Sequence, residues 1–409
     1  MFILYTDRVC MGQAAPAIRK DLGLNAAQTG YVFSAFGLAY TLFEIPGGWL
    51  ADMLGPRKML ARIVIWWSFF TAATGWAWNL PSLVATRFLF GMGEAGCFPT
   101  LAKAVTAWLT PRERVHVLAM LQASANLGGA AAPLLVQLLL ERMSWRYTFA
   151  CLGAAGVLWV IPFYRWYRDD PRSQKNVNAA ELALLTTGAH DPVESHGIPW
   201  KSLFSSRTVW LLCAQWFCFD YGFYFFLTWF PTYIQEATKF TPHTGAILAG
   251  LPLLAGGLGC IVAAWLEPIL SRRLQGIAKA RRLLACFSFA ATSALLVAFV
   301  SVQHTKWGIS LVILSCFTSL FCQPISWITC TDIGGKSVGT LTGTMNTFGQ
   351  LAGATVSPTV IGWILQGTNH NWTPVFLVSA TVGIAGVVCW LFIDPITPIA
   401  RQGTIPSAR

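Results

Sequence analysis

Charge is what this chain has least of. Only 11% of its 409 residues are Asp, Glu, Lys or Arg, against about 25% in an ordinary soluble domain. So few charges leave no surface to face water, which excludes a soluble enzyme, a disordered chain and a nucleic-acid module. The net charge of +11 does not restore nucleic-acid binding, because the cations sit in short loops between apolar runs. Metal and disulfide signatures are missing too. No C-x-x-C pair occurs among the eleven cysteines, and Cys10, Cys97, Cys151, Cys286 and Cys389 lie singly in apolar stretches, where Cys acts as a small hydrophobe. There is no H-E-x-x-H and no ladder of regularly spaced Arg. GGKS at 334–337 resembles the end of a phosphate-binding loop, but Cys330 occupies the position of the first Gly and no strand precedes it. Neither a metal nor a cofactor is expected. A cleavable signal peptide is not expected either, since the first apolar run has no basic stretch before it and is broken by Asp7 and Arg8.

Hydrophobic residues make up 55% of the chain, with Trp 19, Phe 27 and Tyr 9, and the mean hydropathy is +0.55. A bilayer core needs about 20 apolar residues per spanning helix. Twelve such segments can be marked: 1–19, 29–51, 60–79, 82–106, 114–139, 146–167, 207–235, 243–266, 282–302, 307–331, 338–365 and 372–393. The expected fold is an all-α membrane protein of twelve transmembrane helices in two six-helix bundles, 1–167 and 207–393. A central loop at 168–206 joins them and a tail covers 394–409. If segment 1 runs outward, inside loops and tail carry 19 Lys and Arg and outside loops six. That is the positive-inside pattern, so both termini and the central loop are expected in the cytoplasm.

Segment 1 is short. Arg19 and Lys20 mark its outer end, and at 1.5 Å per residue Arg8 lies about 16 Å inward, near the midplane. Only seven residues precede Arg8, so the inner half lacks about a turn or more. The expectation is a misassigned chain start or a trimmed N-terminus. Internal duplication is faint but placed consistently. WLADMLGPRK ends segment 2 and WLEPILSRRL ends segment 8. Segment 5 carries Asn126, Gly128, Gly129 and Pro133, while segment 11 carries Asn346, Gly349, Gly353 and Pro358. Small residues and a Pro at matching places favour a transporter built from inverted repeats, with its site between them.

The loop GGWLADMLGPRK is the most specific local signal, and it resembles the signature loop of the major facilitator superfamily. YTDR in segment 1, RFLFGMGEAGCFP in segment 4, YGFYFFLTWFPTYI in segment 7 and the Asn–Gly pattern of segment 11 together resemble the anion:cation symporter family. That family includes bacterial galactonate, glucarate and hexuronate transporters, and animal sialic-acid and vesicular glutamate transporters. The resemblance covers nearly the whole chain except its start and central loop.

A charge inside a bilayer costs several kcal/mol unless paired or hydrated, so each one is a functional candidate. Arg8 is the sharpest. A guanidinium stays protonated and can clamp a carboxylate with two parallel hydrogen bonds, and the resemblance puts the substrate carboxylate at this Arg. The alternative is a structural counter-ion for Asp7 or Glu94. Counting in from Ser82, Glu94 lies about 18 Å along its helix, also near midplane. Burial favours a neutral carboxyl and a nearby Arg favours an ionised one. Substrate on Arg8 would therefore make protonation of Asp7 or Glu94 easier. The resemblance implicates both in proton coupling; the competing reading is a fixed ion-pair network between segments 1 and 4. Arg87, two turns before Glu94, reads as an outer-half structural or gating charge. Glu44 reads as an inner gate contact, and Asp220 stays open between coupling, a cationic substrate group and a hydrated face.

Asp52, Arg57 and Lys58 are expected to gate the inner face. For neutral contacts, the resemblance nominates Tyr5 and Tyr40, followed by Asn126, Tyr221, Ser326 and Asn346. Gln122 and Gln323 compete with them, and each is equally suited to an interhelical hydrogen bond. Trp229 and Trp327 read as packing or interface anchors. The expected protein is a monomeric, proton-coupled symporter of a small organic anion, working by alternating access in a bacterial inner membrane, with only protons, substrate and lipid as partners. A hexonate or hexuronate is the leading substrate; an aromatic or small dicarboxylic acid is the alternative. A non-transporting sensor or a membrane-embedded enzyme are the rivals from other classes, and the enzyme lacks a clustered nucleophile or metal set.

Overall fold

The structure, a computed structural model, describes residues 1–109, 111–174, 177, 205–238, 240–302, 306–334 and 338–398. Most of the central loop, residues 399–409 of the tail, residues 335–337 of the GGKS stretch and the side chain of Asp52 lie outside the description. Among the described residues there are sixteen α-helices and no strand. The chain divides into two compact units, Met1–Glu194 and Ser195–Arg409.

The first unit holds α1 (Phe2–Leu22), α2 (Ala26–Leu54), α3 (Pro56–Thr74), α4 (Leu80–Glu94), α5 (Cys97–Trp108), α6 (Pro111–Leu140) and α7 (Trp145–Trp166). Local chemistry sets the boundaries. Asn25 and Gln28 form a reciprocal capping box at the start of α2, and Asn79 and Ser82 form another at α4, satisfying N–H groups the first turn leaves open. Gly55, at φ 77°, turns the chain between α2 and α3. Segment 4, expected as one run, is two helices: Ala95 is extended (ψ 139°) and Gly96 is left-handed (φ 84°), a conformation that suits Gly.

The second unit holds α8 (Arg207–Thr228), α9 (Phe230–Ala237), α10 (Pro242–Arg273), α11 (Ile277–Val302), α12 (Lys306–Ser319), α13 (Cys322–Gly334), α14 (Val338–Gln350), α15 (Ser357–Gly367) and α16 (Thr373–Phe392). A π-helical turn, Leu351–Val356, joins α14 to α15. The pairs α4/α5, α8/α9, α12/α13 and α14/α15 each form one broken span, so the sixteen helices make twelve transmembrane spans. Seven stretches are apolar and long enough to cross a bilayer on length and composition alone. The others are broken by turns or carry the charges and aromatic hydroxyls that mark the candidate site.

Each unit has its own core. In the first, Phe36, Tyr40, Met59, Ile63, Val64, Trp67 and Phe90 are buried together. In the second, Phe299 and Phe376 pack with ring centroids 4.6 Å apart, and Tyr233 and Trp372 close the cluster at 5.2 Å. At another level of the same helices the fully buried Gln215 Oε1 accepts from Trp390 Nε1 at 3.1 Å, Cys322 Sγ at 3.2 Å and Ser326 Oγ at 3.3 Å. Such networks hold helices together only when every buried polar atom is met.

Candidate functional site

Asp7 and Arg8 are neighbours on α1. Successive helical residues point about 100° apart, so the two address different parts of the first unit. Arg8 Nε donates to Glu94 Oε1, joining α1 to the last residue of α4. Both side chains are buried. The Arg8 guanidinium lies over Tyr40 at 4.8 Å and over Tyr5 and Phe36 at 5.2 Å each. Three ring faces leave the planar cation one dry slot and supply cation–π attraction. Tyr5 and Tyr40 thus both lie against the Arg8 guanidinium.

Glycine makes the slot possible. A side chain on Gly91 would stand 2.3 Å from the Phe36 carbonyl oxygen, so only Gly lets α4 press against α2 and bring Phe36 to Arg8. Two residues before Arg8, Thr6 Oγ1 donates to Phe2 O at 3.0 Å and to Gly128 O of α6 at 3.3 Å. Gln13 Nε2 donates to Gln137 Oε1 at 3.1 Å. These bonds fix the rotation of α1, and with it which way Asp7 and Arg8 face.

Asp7 is 1% exposed, and neither carboxylate oxygen has a hydrogen-bond partner among protein atoms. Glu94 and Arg87 lie within electrostatic reach, and the Trp67 indole stands beside it. Arg87 belongs to this buried cluster: it is 2% exposed, with its guanidinium 4.2 Å from the Phe90 ring centroid. Arg87 Nε and Nη1, Trp67 Nε1, Ser68 Oγ and Thr71 Oγ1 also lack protein partners. Helical Ser and Thr usually bond back to a carbonyl one turn earlier, as Thr74 does to Phe70 O at 2.8 Å; Ser68 and Thr71 do not. Sequence reading missed this polar face of α3. Its signal was the spacing of Trp67, Ser68 and Thr71, which puts all three on one side of an otherwise apolar helix.

The proposed gate residues are placed as follows. Arg57 is engaged within the first unit: its backbone N–H donates to Asp169 Oδ1 at 2.7 Å, Nε and Nη2 donate to Tyr164 O at 3.1 and 2.6 Å, and its guanidinium lies 4.1 Å over the Tyr164 ring. Lys58 is exposed on α3. Asn126 is half-buried on α6, two residues before the Gly128 contact. In the second unit Tyr221 is buried and its carbonyl accepts from Ser357 Oγ at 2.8 Å. Ser326 is fully buried and its hydroxyl is committed to Cys322 O at 2.9 Å and to Gln215. Asn346 is half-buried on α14. Asp220 is 5% exposed, and a side chain on Gly349 would stand 2.3 Å from its Oδ2, so α14 crosses it closely. Arg281 is a further buried cation, missed in the sequence: it donates to Asp332 Oδ2 at 2.6 Å, Pro395 O at 3.1 Å and Glu267 Oε1 at 3.2 Å. Its partners are spread over three segments, which no local motif reveals.

Known proteins agree with this architecture. "Probable sulfoacetate transporter SauU" of Cupriavidus necator is 33% identical over 100% of this chain and 95% of its own length. The D-galactonate transporter of Escherichia coli O6:H1 is 28% identical, with 96% of this chain and 92% of that protein covered. A crystal structure of a D-xylose-proton symporter shares the fold with a TM-score of 0.72, at 13% identity over 98% of this chain and 96% of that one. The family model for the Major Facilitator Superfamily matches residues 1–357, and the chain belongs to that superfamily of membrane transporters.

Proposed function

We propose that this protein is a proton-coupled symporter of an organic anion, with Arg8 as the anion anchor and Glu94 and Asp7 as the proton carriers. The observation that carries the reading is the buried Arg8–Glu94 pair inside its aromatic slot. An incoming carboxylate and Glu94 compete for one guanidinium. Once the substrate holds Arg8, Glu94 loses its counter-charge in a dry site, where an unpaired carboxylate is costly, and takes up a proton. Anion and proton then travel together. Alternating access would use the two six-helix bundles, 1–167 and 207–393, with Tyr221, Ser326 and Asn346 as the contribution of the second. The inner gate would rest on Asp52, Arg57 and Lys58.

A hexonate or hexuronate is the leading substrate. The hydroxyls of Tyr5 and Tyr40 beside Arg8 suit a polyol carboxylate, since each can donate and accept, and a relative at 28% identity is named for D-galactonate. A second reading, a small acid with two anionic groups, is favoured by the relative at 33% identity named for sulfoacetate. Purified protein screened by thermal shift against sugar acids and small sulfonated or dicarboxylic acids separates the two, because a ligand of the folded state raises apparent stability. Liposome uptake under an inward proton gradient then tests transport. Arg8→Ala and Arg8→Lys should insert and fold yet lose ligand stabilisation, Lys because it keeps charge without the planar fork. Undiminished stabilisation of Arg8→Ala by the wild-type ligand would reject the anchor.

A further inference from the structure

We propose that the first unit carries a specific site for an anionic glycerophospholipid in the furrow between α3 and α7. The furrow has a volume of about 600 Å³ and is lined by Lys58, Arg62, Ile65, Phe69, Phe70 and Tyr164. Its two ends differ in chemistry. Lys58 and Arg62 lie on the first two turns of α3, just past the Gly55 turn, and therefore at headgroup depth whichever way the protein is oriented. Ile65 and Phe69 continue the same stripe, spaced three and four residues apart, and are 49% and 54% exposed. From Lys58 to Phe69 the stripe descends about 16 Å at 1.5 Å per residue. Phosphate at the top and an acyl chain below match that order.

The furrow is built rather than incidental. Trp66 lines it too and is held in place: its Nε1 donates to Leu89 O at 2.8 Å, and Gly93 leaves room for the ring, since a side chain there would stand 1.7 Å from Trp66 Cδ1. Phe70 packs on Trp66 at 5.4 Å and Phe69 on Phe70 at 5.0 Å, edge to face, so the floor is fixed. The far wall, Tyr164, is held by Arg57 on its ring and carbonyl. Neither cation is held by a carboxylate among the described residues, and other cations of this unit are tied to carbonyls. Lys103 Nζ donates to Ala51 O at 3.2 Å, Arg114 Nη2 to Thr106 O at 3.0 Å and Arg168 Nη1 to Tyr167 O at 3.0 Å. Arg62 touches only Met59 Sδ, at 3.9 Å, and among the described residues Lys58 and Arg62 form no ion pair. Basic pockets between spanning helices recognise anionic headgroups, and a zwitterionic lipid offers them no net charge.

The test uses the full chain in a neutral detergent, with melting temperature followed on adding mixed micelles of phosphatidylglycerol, phosphatidylcholine or, as a chainless control, glycerol 3-phosphate. Phosphatidylglycerol should stabilise and the other two should not. In Lys58→Gln/Arg62→Gln the concentration of phosphatidylglycerol giving half the shift should rise at least tenfold. Ile65→Trp keeps both cations and fills the furrow, and should lose the shift as well; it carries the test if the double variant does not fold. Equal stabilisation by phosphatidylcholine or by glycerol 3-phosphate would overturn the site, as would an undiminished response in a folded Ile65→Trp. None of these readouts requires transport, so they stand or fall apart from the symport reading.

Discussion

Replacing Glu94 by Gln should tighten anion binding while abolishing concentrative uptake. Glu94 holds Arg8 through a charge-assisted bond in a site where both side chains are nearly dry. Such a bond contributes about 1.5–3 kcal/mol and a neutral one about 0.5–1.5 kcal/mol. Gln preserves shape and an acceptor for Arg8 Nε but gives up the charge, so the anion displaces a weaker competitor by about 1–1.5 kcal/mol. Since about 1.4 kcal/mol is tenfold in affinity, Kd should fall roughly five- to tenfold. Gln also imitates the protonated carboxyl without being able to release a proton. Exchange of labelled for unlabelled substrate across a liposome membrane should therefore persist, while accumulation driven by an inward proton gradient should vanish. Glu94→Ala is the contrasting control: it strips the buried Arg8 of its acceptor as well, and removing one partner of a buried pair costs about 3–5 kcal/mol of stability. Unchanged or weaker binding in well-folded Glu94→Gln, or wild-type accumulation under the gradient, would refute competition for Arg8 as the coupling step.

Three other outcomes follow from the same geometry. Asp7→Asn should impair gradient-driven uptake while leaving the Arg8–Glu94 contact in place, so ligand-induced thermal stabilisation should survive; its loss in a folded variant would move Asp7 into the anion site. Gly91→Ala sets a methyl 2.3 Å from the Phe36 carbonyl oxygen, and overpacking of this kind costs about 1–3 kcal/mol, read as a lower melting temperature together with weaker binding. Asp52→Asn should slow transport without removing ligand stabilisation. Elimination of binding with unchanged inside–outside accessibility would defeat the gate assignment.

The twelve spans and the stranded Arg8 were legible in sequence for a simple reason. Apolar runs of bilayer length and an Arg stranded among them are properties of short windows. Arg8, Glu94, Tyr5 and Tyr40 all sit on the first unit's own helices, and the pairing of Arg8 with Glu94 follows once their depths match. What stayed hidden depended on rotation or on distant partners. The approach of Arg87 to Asp7 is set by how α1 and α4 are turned against each other, which depth counting ignores. Ser68 and Thr71 looked like ordinary helical hydroxyls because only the structure shows that they do not bond back to their own helix. The bond of Ser326 to Gln215 on another helix is a consequence of three-dimensional crossing. The break at Ala95 was written in GEAG, yet continuous hydropathy through segment 4 masked it.

That break changes what kind of mechanical object the fourth span is. An unbroken helix is a beam: twisting one end turns the other, because every residue is tied to the one a turn earlier. Here Glu94 ends the upper piece, the next residue is extended and Gly96 is left-handed, so torque on α5 is not delivered to the carboxylate above it. Gly96 and Gly47 meet backbone to backbone, closely enough that a side chain on Gly47 would stand 2.8 Å from Ala95 O, and this contact is a bearing rather than a weld. The helical bonding of the piece that carries Lys103 therefore does not set the register of the acid that faces Arg8.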